Sequence, residues 1–296
     1  MPDPASPRRF RPGVETGYHL HVSTHRESAP LRVYLAVYAL GLHRYSTYRA
    51  ATVAGILTNS VFGAISATVM LALFSVRPEI NGYDAGDAVT QVFVGQALIG
   101  MVAIMGPPLE LGERVRSGAV ATDMLRPVSL MGWWMADDMG RATFNLVFRG
   151  VPTFAVGLVL FDLVVPADLT RWAVALLSFV LAALVSFALR YLYELAGFWL
   201  MDSTGIWAVA GLLGPVAAGM LIPLPLFPPA VADVLRVLPW ASIAQIPAEV
   251  FLGKDSLPGG TPLGGLALQA AWAVALLALG ARLTSLATRR VVVQGG

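Results

Sequence analysis

Residues 109–134 read LELGERVRSGAVATDMLRPVSLMGWW, and long apolar runs lie on either side of them. Six charged residues, Glu110, Glu113, Arg114, Arg116, Asp123 and Arg126, crowd into this interruption. Gly112 and Gly118 flank a basic turn, a stretch favouring helix follows, and Pro127 closes it because its ring clashes with the preceding turn. The pattern predicts one short helix held against a membrane face. Such a helix serves either as a docking element for another protein or as a solvated connector whose charges only fix orientation. On charge alone the connector is the simpler reading.

The surrounding composition decides the class. The chain has 56% hydrophobic residues, 13% charged residues and a mean hydropathy of +0.69, far more apolar than a soluble domain of 296 residues. It is expected to be an all-α integral membrane protein. Its net charge of +2 comes almost wholly from arginines in tails and loops beside apolar segments, which sets topology and does not suggest a nucleic-acid partner. The absence of cysteine excludes a disulfide framework, a thiol nucleophile and a thiolate metal site.

Residues 1–30 are rich in Pro, Arg and Ser and lack a signal-like apolar core, so they read as a disordered cytoplasmic tail. His19, His21 and His25 alternate there without carboxylate support, and no metal is assigned to them. Residues 31–50 form a helix with Arg32, Ala36, Ala39, His43, Ser46 and Thr47 on one side and Tyr34, Tyr38 and Tyr45 on the other. This reads as an interfacial helix in the membrane plane, or else as an extension of the first span. Residues 51–290 then hold six spans, over about 52–76, 88–109, 142–161, 172–190 or 172–200, 205–222 and 266–286. Between the last two, prolines at 223, 225, 228, 229, 239 and 247 leave helices too short to cross, which are expected to dip in and return.

Basic residues place the ends. Seven arginines precede the first span, four lie from Arg114 to Arg141, and Arg282, Arg289 and Arg290 follow at the C-terminal end. The opposite loops hold Arg77, Arg171, Arg236 and Lys254 against eight acids, which puts both termini and the charged loop in the cytoplasm. Catalysis finds no support. There is no phosphate-binding loop, the only lysine is Lys254, and the neighbours Asp137 and Asp138 fall on different helix flanks, so no enzymatic activity is expected.

The order of elements resembles the type-two ABC permeases of export systems over residues 31–290. Locally, GERVRSGAVATDMLRPVS is similar to that family's loop between spans two and three, and FWLMDSTGIW to its turn between spans four and five. LIPLPLFPP, VLPW and IPAEVFLGK are similar to its outer re-entrant segment. The resemblance implies an exporter's transmembrane subunit in the cytoplasmic membrane, paired with a second permease chain, identical or related. It also implies separate ATP-binding cassette subunits that bind the ATP, so that this chain holds no cofactor. Arg114, Arg116, Gly118, Asp123, Leu125, Arg126 and Pro127 would then couple to the ATPase, and the outer segment over 228–252 would gate the cargo path or plug it.

Charges inside the spans suggest a second reading, an ion-coupled carrier with Arg190 and Glu194 as a relay. Arg149 lies eight residues beyond Arg141, about 12 Å along the third helix, and Glu194 lies about 9 Å from an end at Leu200. An unpaired charge at mid-membrane costs about 2.5–3.5 kcal/mol on insertion scales. Glu194 is therefore expected to bridge Arg149 and Arg190. In the alternative, Arg149 snorkels to the interface and Glu194 lies in solvent.

Overall fold

The computed structural model describes residues 29–106, 109–200 and 203–294. The tail expected over 1–30, with its three histidines, falls outside them up to residue 28, as do Pro107, Pro108, Met201 and Asp202. The described residues are helical with no strand, apart from an isolated bridge between Ile80 and Tyr83.

Helix α1 (Ala29–Ser46) lies along α6 (Leu130–Asn145), and the tyrosine face points inward to make that contact. Tyr38 Oη donates to Thr143 Oγ1 at 3.0 Å, Tyr34 Oη accepts the Ser129 N–H at 3.2 Å, and the Tyr45 ring packs 6.4 Å from that of Phe144. Leu31, Leu35 and Leu40 form the exposed side. Close approach depends on glycine at both surfaces. A Cβ on Gly41 would lie 2.4 Å from Asp137 O, and one on Gly140 would lie 2.2 Å from Tyr38 O.

Among the described residues, five helical segments are long and apolar enough to cross a membrane. The first is α2 (Arg49–Val76), which begins three residues after α1 because the chain turns at Thr47 and Tyr48. Next comes α3 (Ala85–Val102), opened by a capping box in which Asp84 accepts the Asp87 N–H and the Asp87 side chain accepts that of Asp84. It ends seven residues before the predicted limit at Leu109. Ala103 adopts the left-handed conformation at φ 49°, a position more usual for glycine, so the prolines at 107 and 108 are not what stops the helix.

The charged loop contains two helices where one was expected. They are α4 (Leu111–Arg116) and α5 (Val120–Met124), separated at Gly118 with φ 75°. The second ends at Met124, three residues before Pro127. The third span also starts twelve residues earlier than predicted. Ser129 accepts the Gly132 N–H and opens α6, which runs through a π turn at Leu146–Gly150 into α7 (Val151–Leu160) as one segment from Leu130 to Leu160. The early start was hidden because residues 130–145 carry Asp137, Asp138 and Arg141, charges that the protein itself accommodates.

Asp168 caps α8 (Leu169–Leu195), which continues through α9 (Gly197–Leu200). The fourth span therefore takes the longer of the two predicted limits. Helix α10 (Thr204–Ala217) has 14 residues, about 21 Å, which is shorter than the ~30 Å hydrocarbon core. Its chain continues through the turn at Gly219 to the short α11 (Pro229–Val237) and α12 (Gln245–Leu252). All eight residues of α12 are buried, between α3 and α8. The last segment, α13 (Pro262–Gln294), packs along α8.

A polar core holds the α11–α12 end. Glu249 accepts from Arg236 at 2.8 Å and from Gln245 Nε2 at 2.8 Å, while Gln245 Oε1 takes the Gln91 Nε2–H at 2.6 Å. Burial pushes the Glu249 carboxyl above the usual carboxylate range, with Arg236 opposing the shift. Lys254 pairs with Asp87 and lies over the Tyr83 ring. This end faces away from α4 and α5.

Because Tyr38 and Leu42 backbone atoms stand where a Cβ of residue 140 would go, Gly140→Ala is expected to push α1 off α6 and cost about 1–3 kcal/mol, the usual penalty of overpacking. A lower midpoint of thermal unfolding and faster tryptic cleavage near Arg44 are the expected readings. Unchanged values for both would show that α1 is not held by this contact.

Candidate functional site

A cavity of about 850 Å³ runs from Glu110, Glu113 and Arg116 in the charged loop to Asn59 on α2 and Arg149 at the π turn. The third and fourth spans supply most of its charge. Asp138 is 2% exposed on α6 and accepts from Arg141 at 2.7 Å and from Arg190 on α8 at 2.5 Å. Arg141 also donates to Gly100 O at 2.6 Å and Met101 O at 2.8 Å, two carbonyls in the last turn of α3. A cation at the C-terminal end of a helix satisfies carbonyls that have no partner within it and meets the negative end of its dipole. Ser186 of α8 donates to Val102 O in the same turn.

This arrangement corrects the expected charge contact. Glu194 bridges neither arginine. Its Oε2 accepts the Gly112 N–H at 2.6 Å and its Oε1 accepts the Trp207 Nε1–H at 2.8 Å, so the carboxylate ties α8 to α4 and α10. Gly112 is needed for that approach, since a Cβ there would lie 2.3 Å from Glu194 Oε2. Arg149 donates to Asn59 Oδ1 at 3.2 Å, and its Nε is buried without an acceptor among the described residues. Its guanidinium crosses α2 at Gly55, where a Cβ would be 2.4 Å from Cζ. The acid that balances Arg190 is Asp138, which the sequence reading had considered only as half of an adjacent carboxylate pair. An aspartate three residues before an arginine, in a stretch that must enter a membrane, was the available signal.

The loop itself is a clamp. Asp123 is buried on α5 and pairs with Arg114 of α4 and with Arg126, the latter at 2.9 Å. The Arg126 guanidinium also sits 3.9 Å above the Trp133 ring. The Asp123 hydrogen bond raises the Arg114 pKa above its ordinary value, as the Glu110 carboxylate, 2.7 Å away, raises that of Arg44. Arg116 pairs with Glu113 on the exposed side. Leu125 follows at the tip, 85% exposed, next to the clamp and before Pro127. Thus Asp123, Arg114 and Arg126 build the loop, while Leu125 and Arg116 are the members it presents. Among the described residues, no group of histidine, aspartate and glutamate is arranged to hold a metal ion.

A family model described as ABC-2 family transporter protein matches residues 61–295. The chain belongs to this family. No curated protein matches it significantly. As an ABC-2 protein, the chain is a multi-pass membrane permease component of an ABC transporter, and the family implies association with ATP-binding cassette subunits. The ion-coupled carrier is not retained, because the family is that of ABC permeases and the Arg190 and Glu194 side chains have separate partners.

Removing one partner of a buried ion pair strands the other charge. Asp138→Ala is expected to destabilise the ABC-2 chain by about 3–5 kcal/mol, read as a lowered unfolding midpoint in detergent. Asp137→Ala, next to it but half-buried and in no ion pair among the described residues, is expected to cost less than about 1 kcal/mol. Equal effects of the two variants would contradict the assignment.

Proposed function

We propose that this chain is the transmembrane subunit of an ATP-driven exporter in the cytoplasmic membrane, with both termini and the α4–α5 loop on the cytoplasmic side. The basic residues of the N-terminal region, the loop and the C-terminal end support this orientation. Here α10 and the turn after it serve as a sixth span, shorter than the others. A second permease chain, identical or related, completes the pathway. The chain carries out no hydrolysis and holds no cofactor. Separate cassette subunits bind and hydrolyse ATP, and the loop of Arg114, Arg116, Gly118, Asp123, Leu125, Arg126 and Pro127 receives their motion.

The observation that carries this reading is the connection from the loop tip to the spans. Asp123 locks α4 to α5, Leu125 stands out from the clamp, and α4 is fastened through Gly112 to Glu194 on the fourth span. A push at Leu125 therefore reaches α8 through the Asp123 clamp and the Gly112–Glu194 contact instead of through flexible chain. Exposed apolar residues on monomers are common when scattered, but one at the tip of a rigid polar clamp suits insertion into a partner's pocket.

Leu125→Asp is expected to cut co-purification of the cassette ATPase by about ten-fold or more, the scale of a lost interface anchor, while leaving the unfolding midpoint of the chain unchanged. Undiminished ATPase capture would overturn the assignment. The combination Asp123→Ala and Arg126→Ala acts differently. It takes the clamp apart, so it should lower ATPase capture together with the resistance of residues 111–127 to proteolysis.

A further inference from the structure

The inner end of the cavity carries a charge that the fold does not neutralise. Asp138 balances one of Arg141 and Arg190, leaving one positive charge on that trio, and Arg149 adds a second. Arg149 makes no ion pair among the described residues; its bond to Asn59 is to a neutral amide, and its Nε lacks an acceptor. The negative residues that compensate lie nearer the loop. Glu194 is one helical turn closer to it than Arg190 and is held by neutral donors, and Asp137 is twelve residues before Arg149, about 18 Å along the third span. Exposed charges such as Glu113 and Arg116 at the mouth are paired with each other and screened by salt, whereas the inner arginines are screened much less.

Two local features keep Arg149 in this position. The π turn at Leu146–Gly150 contains it, and such turns, rare in helices, occur often at functional sites. Gly55 removes the side chain that would occupy the guanidinium's place on α2. A membrane segment that bears an unneutralised arginine, reached by a cavity large enough for a ligand, is arranged to meet a negative group from outside the chain. Planar guanidinium groups bind carboxylate and phosphate oxygens in matched pairs of hydrogen bonds.

We infer that this cavity binds an oxyanion, a phosphate or carboxylate carried on a lipid headgroup or on a soluble cargo, with Arg149 as its principal contact and Asn59 beside it. The cavity is also lined by apolar Ile99 and Met105, which could lie against the apolar part of such a molecule. This deepens the permease reading by giving the class of molecule accepted at its inner cavity, and it can fail without affecting the loop's role, because the binding test needs no ATPase.

The test is calorimetric titration of the full chain, purified in neutral detergent, with dioctanoyl phosphatidic acid and separately with inorganic phosphate. Dioctanoyl phosphatidylcholine, whose headgroup has no net charge, is the control. Arg149→Gln is expected to weaken binding of the anionic probe about ten-fold or more, as loss of a charge-assisted hydrogen bond would, and Arg149→Lys, which keeps the charge but not the planar fork, to recover only part of it. Phosphatidylcholine should bind the wild type and Arg149→Gln alike. An Arg149-dependent response to phosphatidic acid alone identifies a lipid headgroup; the same dependence with inorganic phosphate identifies a soluble oxyanion. If neither anionic probe binds the wild type, or both bind the wild type and Arg149→Gln equally, the inference is wrong. Should Arg149→Gln not yield folded protein, Gly55→Ala keeps the charge but displaces the guanidinium, and unchanged affinity in that variant overturns the inference equally.

Discussion

The carboxylate of Asp138 is the fixed point of this fold. A charge placed among apolar spans must find its opposite within the protein, and Asp138 meets two arginines from different spans at once. Because it holds Arg141 in place, Arg141 can spend its remaining donors on the last carbonyls of α3, and Ser186 completes that set from α8. Spans two, three and four are thereby tied together at one depth. The contact draws together the last turn of α3, the middle of α6 and the C-terminal half of α8. An apolar substitute at 138 would strand both arginines at once.

The same depth governs the loop. With α3 ended at Ala103, seven residues precede α4, and the chain reaches the fourth span where Gly112 meets Glu194. Glu194 lies one turn beyond Arg190 on the same helix, so the residue that fixes the bundle and the one that holds the loop are joined by a few ångströms of rigid backbone. The loop's internal clamp at Asp123 and the bundle's internal clamp at Asp138 have the same design: one buried aspartate, two arginines, two segments.

Much of the architecture was legible in the sequence. Hydrophobic runs located the spans, prolines marked α11 and α12 as too short to cross, and the charged stretch after span two stood out as a distinct element. The errors share a cause. Residues 130–141 were left out of the third span, a stretch that carries Asp137, Asp138 and Arg141, and local hydropathy cannot register that Asp138 pairs both with Arg141 and with Arg190 on a distant helix. Glu194 was matched to arginines by depth alone, although a carboxylate can be satisfied by a backbone N–H and an indole. The tyrosine side of α1 was legible as one face of a helix; that Ser129 and Thr143, on the cap of α6 and on α6 itself, would meet Tyr34 and Tyr38 there was not. The split of the charged loop at Gly118 carried a signal, since a lone glycine between two short helical stretches permits a positive φ, but Pro127 was the more conspicuous punctuation.

The π turn at Leu146–Gly150 has a consequence for how this segment tolerates changes in length. A π turn accommodates one residue more than an α-helix would in the same rise, so α6 and α7 are held out of phase by roughly 100° relative to an unbroken helix. Each part presents the side its neighbours need, Gly140 to α1 and Gly157 to Phe93 of α3. Deleting a single residue here would restore ordinary helical hydrogen bonding while rotating one half against its neighbours, so the span would gain local regularity and lose its packing. Length in this helix is therefore constrained by angle before it is constrained by membrane thickness.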